Sequence, residues 1–476
     1  MQVLTQGVNA RKYELQQRGC FAGKQIAYKM VAQETILDGN TGKPAGSLFS
    51  YSYFCEERQG DDNRPVVFAY NGGPGSGCLW LNLGFFGPRR VKIEDEVNPS
   101  PVPPYELEDN PFCLLPECDI VLVDPVGCGY GRLLNEAAGE AFYGTEGDAD
   151  AVAAFIEWWL EEYGRRNSPV YLAGESYGTV RTCMLLRELC GGPMSSKHRL
   201  SAIPVAGVIL MGTVLEGFPG IPETFKVPET ALQMISMAAV HWHHHMRESG
   251  IALADWVEEV WSFTKDSWLP GWFAGEGMKK EDRKALACRL EHYTGVDAAW
   301  WEEHHLEISA QEFSQRVLAD EGLDVGLYDG RYTMKHPVEP MPMDPVADDP
   351  AMGKYTAAFC AAQALWKREM GLEMPENCRP IDFMVNGMWN YRSMVTPLQA
   401  LKQAMRRNEK LRILFCSGLM DLVTPPGRVR FLAHHLGLDR DRVTVREYPS
   451  GHMPYLGDQS ASRLMEDIRS FIRAFE

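Results

Sequence analysis

Two early stretches, 25-QIAYK-29 and 46-GSLFSYSY-53, alternate apolar and polar residues. A period of two is the signature of a strand with one buried face, so the first part of the chain reads as an antiparallel hairpin. The pattern then changes to short continuous apolar runs, 66-VVFAY-70, 119-DIVLVD-124, 169-PVYLAG-174, 205-VAGVILMG-212 and 411-LRILFCSG-418, and the sheet pattern closes with 442-RVTVREY-448. Runs of this kind suit strands buried on both faces of a parallel sheet. Helical periodicity lies between and after them, notably in 147-GDADAVAAFIEWWLEEYG-164, whose acidic start favours a helix N-terminus, and in 460-SASRLMEDIRSFIRAF-475. Strands alternating with helices predict an α/β fold, a mostly parallel central sheet with helices on both faces.

From about residue 215 to 390 the rhythm breaks into helices joined by irregular loops rich in Trp, Met and Pro. Seven of the twelve tryptophans fall between Trp242 and Trp301, which predicts a separate aromatic core. The expected organisation is therefore a sheet domain over 1–214 and 391–476, split by a large helical cap insertion over 215–390.

Charge narrows the partners. The 47 basic and 64 acidic residues give a net charge of −17, which argues against a nucleic-acid partner, whose phosphates need a basic surface, and against docking on anionic lipid. Nothing approaches the roughly 20 apolar residues needed to span a bilayer. The first twenty residues lack the apolar run of a secretory signal, so a cytoplasmic location is expected. Twelve cysteines are spread through the chain without metal spacing, and several sit in apolar runs as small hydrophobes. His241 and His245 share a helix face in 241-HWHHH-245, but no acidic or thiol ligand stands beside them. No metal or other cofactor is expected, and the oligomeric state stays open.

The chemistry centres on 171-YLAGESYGTV-180. Here Gly-x-Ser-x-Gly follows an apolar strand and precedes the helical run 180-VRTCMLLREL-189, the context in which a sharp turn exposes a serine hydroxyl. Ser176 is thus the candidate nucleophile. It needs a base, and the base needs an orienting carboxylate. Asp421 lies just past one strand end, and His452 follows the next strand in a Gly- and Pro-containing loop. Two backbone N–H groups should receive the oxyanion. The residue after the nucleophile, Tyr177, offers one. Gly73, in the glycine-rich turn of 66-VVFAYNGGPGSG-77, offers the other.

These motifs, 71-NGGPG-75, 174-GESYG-178, the Asp421 segment and 451-GHM-453 in that order, resemble the serine carboxypeptidase family of α/β-hydrolases. The segments 84-GFFGPRRV-91 and 415-FCSGLMDLVTP-425 are most similar to its bacterial branch. The resemblance is good over about 50–215 and 380–476 and loose through the cap. It implies hydrolysis of C-terminal peptide bonds through an acyl-enzyme, with the substrate's terminal carboxylate held by Asn71, Gly72 and Glu175. A glutamate against a carboxylate requires that one of the two carry a proton. The family's second recognition acid falls on Phe85 here, and its cysteine after GGPG is Ser76. Arg89 and Arg90 are candidate partners for a substrate carboxylate. Trp389 and Asn390 are expected to line the acyl or leaving-group pocket, and Asp124 and Tyr130 its wall. The loss of the second acid leaves two further readings, an esterase or acyltransferase of the same fold and a non-catalytic binding protein on a hydrolase scaffold.

Overall fold

The computed structural model describes residues 1–58, 60–194, 200–216, 221, 223–224, 226–339 and 341–474. Strands β1 (Lys12–Phe21), β2 (Lys24–Leu37) and β3 (Gly46–Cys55) form an antiparallel meander, one strand longer than the expected hairpin. Six further strands follow: β4 (Val66–Tyr70), β5 (Asp119–Asp124), β6 (Val170–Glu175), β7 (Val205–Met211), β8 (Arg412–Gly418) and β9 (Val443–Tyr448). In space the order is β1-β2-β3-β5-β4-β6-β7-β8-β9, with the short strand Arg132–Leu133 paired to β3. From β5 to β9 every pairing is parallel.

Both faces of β4 to β8 are buried, whereas the edge strand β9 buries only Tyr448, and the side chains divide between two cores. In β4, Val67 and Ala69 point to one core while Val66, Phe68 and Tyr70 point to the other. Tyr171 and Ala173 of β6 separate from Val170 and Leu172 in the same way. That is why the sequence shows continuous apolar runs rather than alternation. Helices Thr145–Glu162, Tyr177–Cys190 and Pro397–Arg407 cover one face, while Pro350–Glu369 and Asp458–Arg473 contribute to the core on the other.

Between β7 and β8 the chain runs through a set of helices that includes Glu229–His241, Leu253–Phe263 and Lys280–Thr294. Their apolar faces make a third core around the fully buried Trp256, Trp268 and Trp301. Leu419, Met420 and Leu422, from the loop after β8, pack into this third core. The loop carrying Asp421 is thereby anchored outside the sheet. Strand register brings Tyr70, Gly174, Leu210 and Phe415 side by side. The segments that follow β4, β6, β7 and β8 consequently emerge at one rim, where open parallel sheets place their ligand sites.

Candidate active site

Within 171–180 only Ser176 is part-exposed; every neighbour is buried. Its backbone sits at φ 57°, ψ −126°, a left-handed conformation costing an L-residue about 1–3 kcal/mol. The surroundings over-determine it. The Ser176 N–H donates to the Met211 carbonyl at 2.9 Å, and the Thr179 hydroxyl donates to the Ser176 carbonyl at 2.7 Å. Flanking glycines are required sterically. A Cβ at Gly174 would stand 2.2 Å from the Gly178 carbonyl oxygen, and one at Gly178 would stand 2.9 Å from that of Tyr70.

A buried arginine that the sequence did not mark braces the turn from beneath. Arg181 donates through Nε to Asp148 at 2.7 Å and through Nη1 to the Asn71 carbonyl at 2.6 Å. Its guanidinium also lies 5.3 Å from the Tyr70 ring and 5.6 Å from the Tyr177 ring. Trp389 packs edge-on against Tyr177 and donates from Nε1 to its hydroxyl at 3.0 Å. Trp389 therefore supports the turn from behind instead of lining the pocket. The backbone of Asn390 pairs with Tyr143 and Thr145. It is Ile381, Phe383 and Asn386 of the same returning segment that face the cavity.

His452 Nδ1 lies 2.8 Å from Asp421 Oδ2. The other carboxylate oxygen, Oδ1, accepts the Val423 and Thr424 N–H groups, each at 2.8 Å. Thr424 also donates its hydroxyl to Oδ2, and that hydroxyl stands 3.1 Å from His452 Nδ1. The Asp421 carbonyl accepts from Ser236 at 2.7 Å, so a helix between β7 and β8 helps hold the loop. On the histidine side, the His452 N–H donates to the Tyr328 carbonyl at 2.6 Å, with the Tyr328 ring edge-on to the imidazole. Gly212, at φ 54°, lets the backbone approach the imidazole: a Cβ there would meet His452 Cε1 at 3.0 Å. Ser236, Tyr328 and Gly212 belong to no motif, and only their positions in space reveal them. Burial disfavours the imidazolium, but the charges of Asp421, Glu175 and Asp349 outweigh it and hold the pKa above its ordinary value.

The 71-NGGPG-75 turn lies against the start of the helix Tyr177–Cys190. A Cβ on Gly72 would fall 2.4 Å from the Tyr177 nitrogen, so only glycine fits. Gly73 follows at φ 99°. Asp124, expected in the pocket wall, is instead a buried clamp that accepts the Cys78 N–H at 2.7 Å and the Tyr130 N–H at 3.0 Å. It thereby fixes the chain following the NGGPG turn.

One cavity of about 220 Å³ is lined by Asn71, Gly72, Gly73, Glu175, Ser176 and His452, with Ser76, Trp80, Tyr328 and Tyr355 among its other walls. Asn71 donates from Nδ2 to Glu175 Oε1 at 2.7 Å, while its Oδ1 accepts the Leu81 N–H at 3.1 Å. Burial pushes the Glu175 carboxyl up to about 7, against the opposing pull of His452. Phe85 is fully buried and stacks on Tyr455 at 5.9 Å. Arg89 is paired to Asp109 and Glu369, and Arg90 to Glu108 and Asp458, so both are engaged within the protein. The histidine run is engaged as well: His241 with the Tyr293 carbonyl, His244 with that of Gly330 and His245 with Glu321. Among the described residues, no group of three His, Cys, Asp or Glu side chains is placed to hold a metal.

Residues 41–232 match the family model described as serine carboxypeptidase, a segment that includes NGGPG and GESYG and ends before Asp421 and His452. Serine carboxypeptidase-like 36 of Arabidopsis thaliana is 30% identical over 137 residues, covering 28% of this chain and 26% of the relative. Serine carboxypeptidase-like 7 of the same organism is 27% identical over 152 residues, covering 30% and 32%. The chain thus aligns with between a quarter and a third of the length of these relatives. The crystal structure of Kex1(delta)p, a prohormone-processing carboxypeptidase from Saccharomyces cerevisiae, superposes with a TM-score of 0.57 at 15% identity, covering 94% of this chain and 91% of that one. That likeness concerns the fold. Over residues 41–232 the chain is similar to the serine carboxypeptidases, and its fold is similar to that of the Saccharomyces cerevisiae carboxypeptidase.

Proposed function

We propose that the protein is a serine-type carboxypeptidase that releases the C-terminal residue of peptides through an acyl-enzyme. The observation that carries this reading is the convergence, on one cavity, of Ser176, the Asp421-bound His452 and the Asn71–Glu175 pair. Asp421 occupies Nδ1, which leaves Nε2 as the imidazole nitrogen free to take the Ser176 proton. The serine oxygen attacks the scissile carbonyl, and the Tyr177 and Gly73 N–H groups receive the oxyanion. His452 then gives its proton to the leaving amine, and water releases the acyl group by the reverse steps.

The leaving residue carries a free carboxylate. Asn71 spends one Nδ2 hydrogen on Glu175 and has a second to offer, beside the Gly72 N–H. Glu175, with its pKa raised to about 7, supplies the proton that lets two carboxyl groups share the site. The helical segment 215–390 acts as a cap that shapes the pocket, since Tyr328, Met352, Ile381, Phe383 and Asn386 all come from it. All twelve cysteines are free thiols, which supports a reducing, cytoplasmic setting. No described helix is long and apolar enough to cross a membrane.

The test compares a blocked dipeptide with its C-terminal amide, in the wild type and in Ser176→Ala. Preference for the free acid in the first and no turnover in the second are expected. Turnover in Ser176→Ala, or indifference to the carboxylate, overturns the reading. Phe85, apolar and stacked where the family resemblance expects an acid, favours the second reading, an esterase or acyltransferase. Faster turnover of amides and esters than of free acids would decide for it.

A further inference from the structure

Beside the cavity lie two buried oxygens that the mechanism does not use. Glu175 Oε2 and the Tyr455 hydroxyl are both sealed from solvent, and neither has a well-formed hydrogen bond. The hydroxyl adjoins the Glu175 carboxyl and also the Asn71 amide. A buried donor and a buried acceptor left open side by side would each cost free energy unless they serve one another or a ligand.

We propose that Tyr455 is a positioning residue for substrate recognition, its phenol acting as the standing hydrogen-bond partner of Glu175 where the substrate's terminal carboxylate binds. This inference rests on the carboxypeptidase reading and deepens it. The Tyr455 ring is held on two sides. Phe85 stacks on it at 5.9 Å with 27° between the planes, and it crowds Gly84, where a Cβ would lie 2.6 Å from Tyr455 Cε2. The hydroxyl is thus aimed by packing rather than by a bond of its own. A phenol can donate to an ionised Glu175 and accept from a protonated one, so it serves both states of the carboxyl. Burial and the neighbouring Glu175 keep Tyr455 itself protonated well beyond any working pH. A second carboxyl at this place would instead add a repelling charge as pH rises.

The groups facing Glu175 are His452 and Tyr455 from the loop after β9 and Asp421 from the loop after β8, with the Asn71 amide alongside. Tyr355, from the helix Pro350–Glu369, faces Tyr455 in turn. Glu175, raised to about 7 by burial, sets a descending limb of kcat/KM on a free-acid substrate. The Tyr455 phenol stabilises the ionised carboxyl, and removing it delays that ionisation.

The experiment measures kcat/KM between pH 5 and 9 for a blocked dipeptide and for its amide, in wild type, Tyr455→Phe, Glu175→Gln and the double variant. Phenylalanine keeps the stack on Phe85. In Tyr455→Phe the descending limb on the acid substrate should move up by about one pH unit, the value of one hydrogen bond to a charged group. The amide profile should stay in place. In the Glu175→Gln background, the Tyr455 substitution should shift nothing. An unmoved acid limb in Tyr455→Phe, or equal losses on acid and amide, overturns the role of Tyr455 while the wild-type preference for the acid stands. A wild type indifferent to the carboxylate removes the underlying reading and this inference with it.

Discussion

Replacing Asp421 by asparagine tests the site at its most constrained point. The two carboxylate oxygens have different neighbours: Oδ1 accepts two backbone N–H groups, and Oδ2 faces His452 Nδ1 and the Thr424 hydroxyl. An asparagine cannot turn its NH₂ toward the backbone pair, because three donors would then face one another in a dry loop. The oxygen therefore stays on that side, and the NH₂ points at Nδ1. Two donors cannot share that contact, so the imidazole gives up its Nδ1 proton and carries it on Nε2. In that tautomer His452 cannot accept the Ser176 proton. The expected loss in kcat/KM is about 10⁴-fold, the scale for a wrong tautomer in a serine hydrolase. It corresponds to roughly 5.4 kcal/mol of transition-state stabilisation. The assay is kcat/KM on a blocked dipeptide together with the rate of labelling by a fluorophosphonate, with circular dichroism to check the fold. Both rates should fall together. A folded variant that loses less than about tenfold would refute the placement of Asp421 behind His452.

The geometry sets three further outcomes. Gly212→Ala puts a methyl 3.0 Å from His452 Cε1 and 3.1 Å from Thr424 Oγ1; kcat should fall about 10²-fold with KM little changed, as for a small misplacement of a reacting group, and a KM-dominated loss would contradict this. Glu175 should be protonated below about pH 7 and ionised above it, so wild-type turnover of free-acid substrates falls as pH rises through that value while amides are spared. The difference should vanish in Glu175→Gln, as read from paired pH profiles. Arg181→Met strands the Asp148 carboxylate in the core, where burial already raises its pKa. Urea unfolding should show a loss of about 3–5 kcal/mol, and a loss under 1 kcal/mol would mean that the pair is not the brace it resembles.

The alternation at the start of β2, the apolar runs of β4 to β8 and the glycines around Ser176 each report a local constraint, whereas β3 alternates in sequence but is buried on both faces. Period two and continuous burial are written into neighbouring residues, and Gly174 and Gly178 are needed by the turn they flank. These features are legible because the forces that select them act within a few residues along the chain. The order of Ser176, Asp421 and His452 is likewise legible, because each lies in the segment immediately after a recognisable strand. The residues that enclose them are not. Arg181 under the turn, Ser236 holding the Asp421 carbonyl, Gly212 beside the imidazole and Tyr455 against Glu175 lie far from their partners in sequence. The same holds for Trp389, whose aromatic character is plain but whose destination behind Tyr177 is not. A side chain's type records that it will be buried, whereas its partner depends on which distant segments the sheet register brings to one rim.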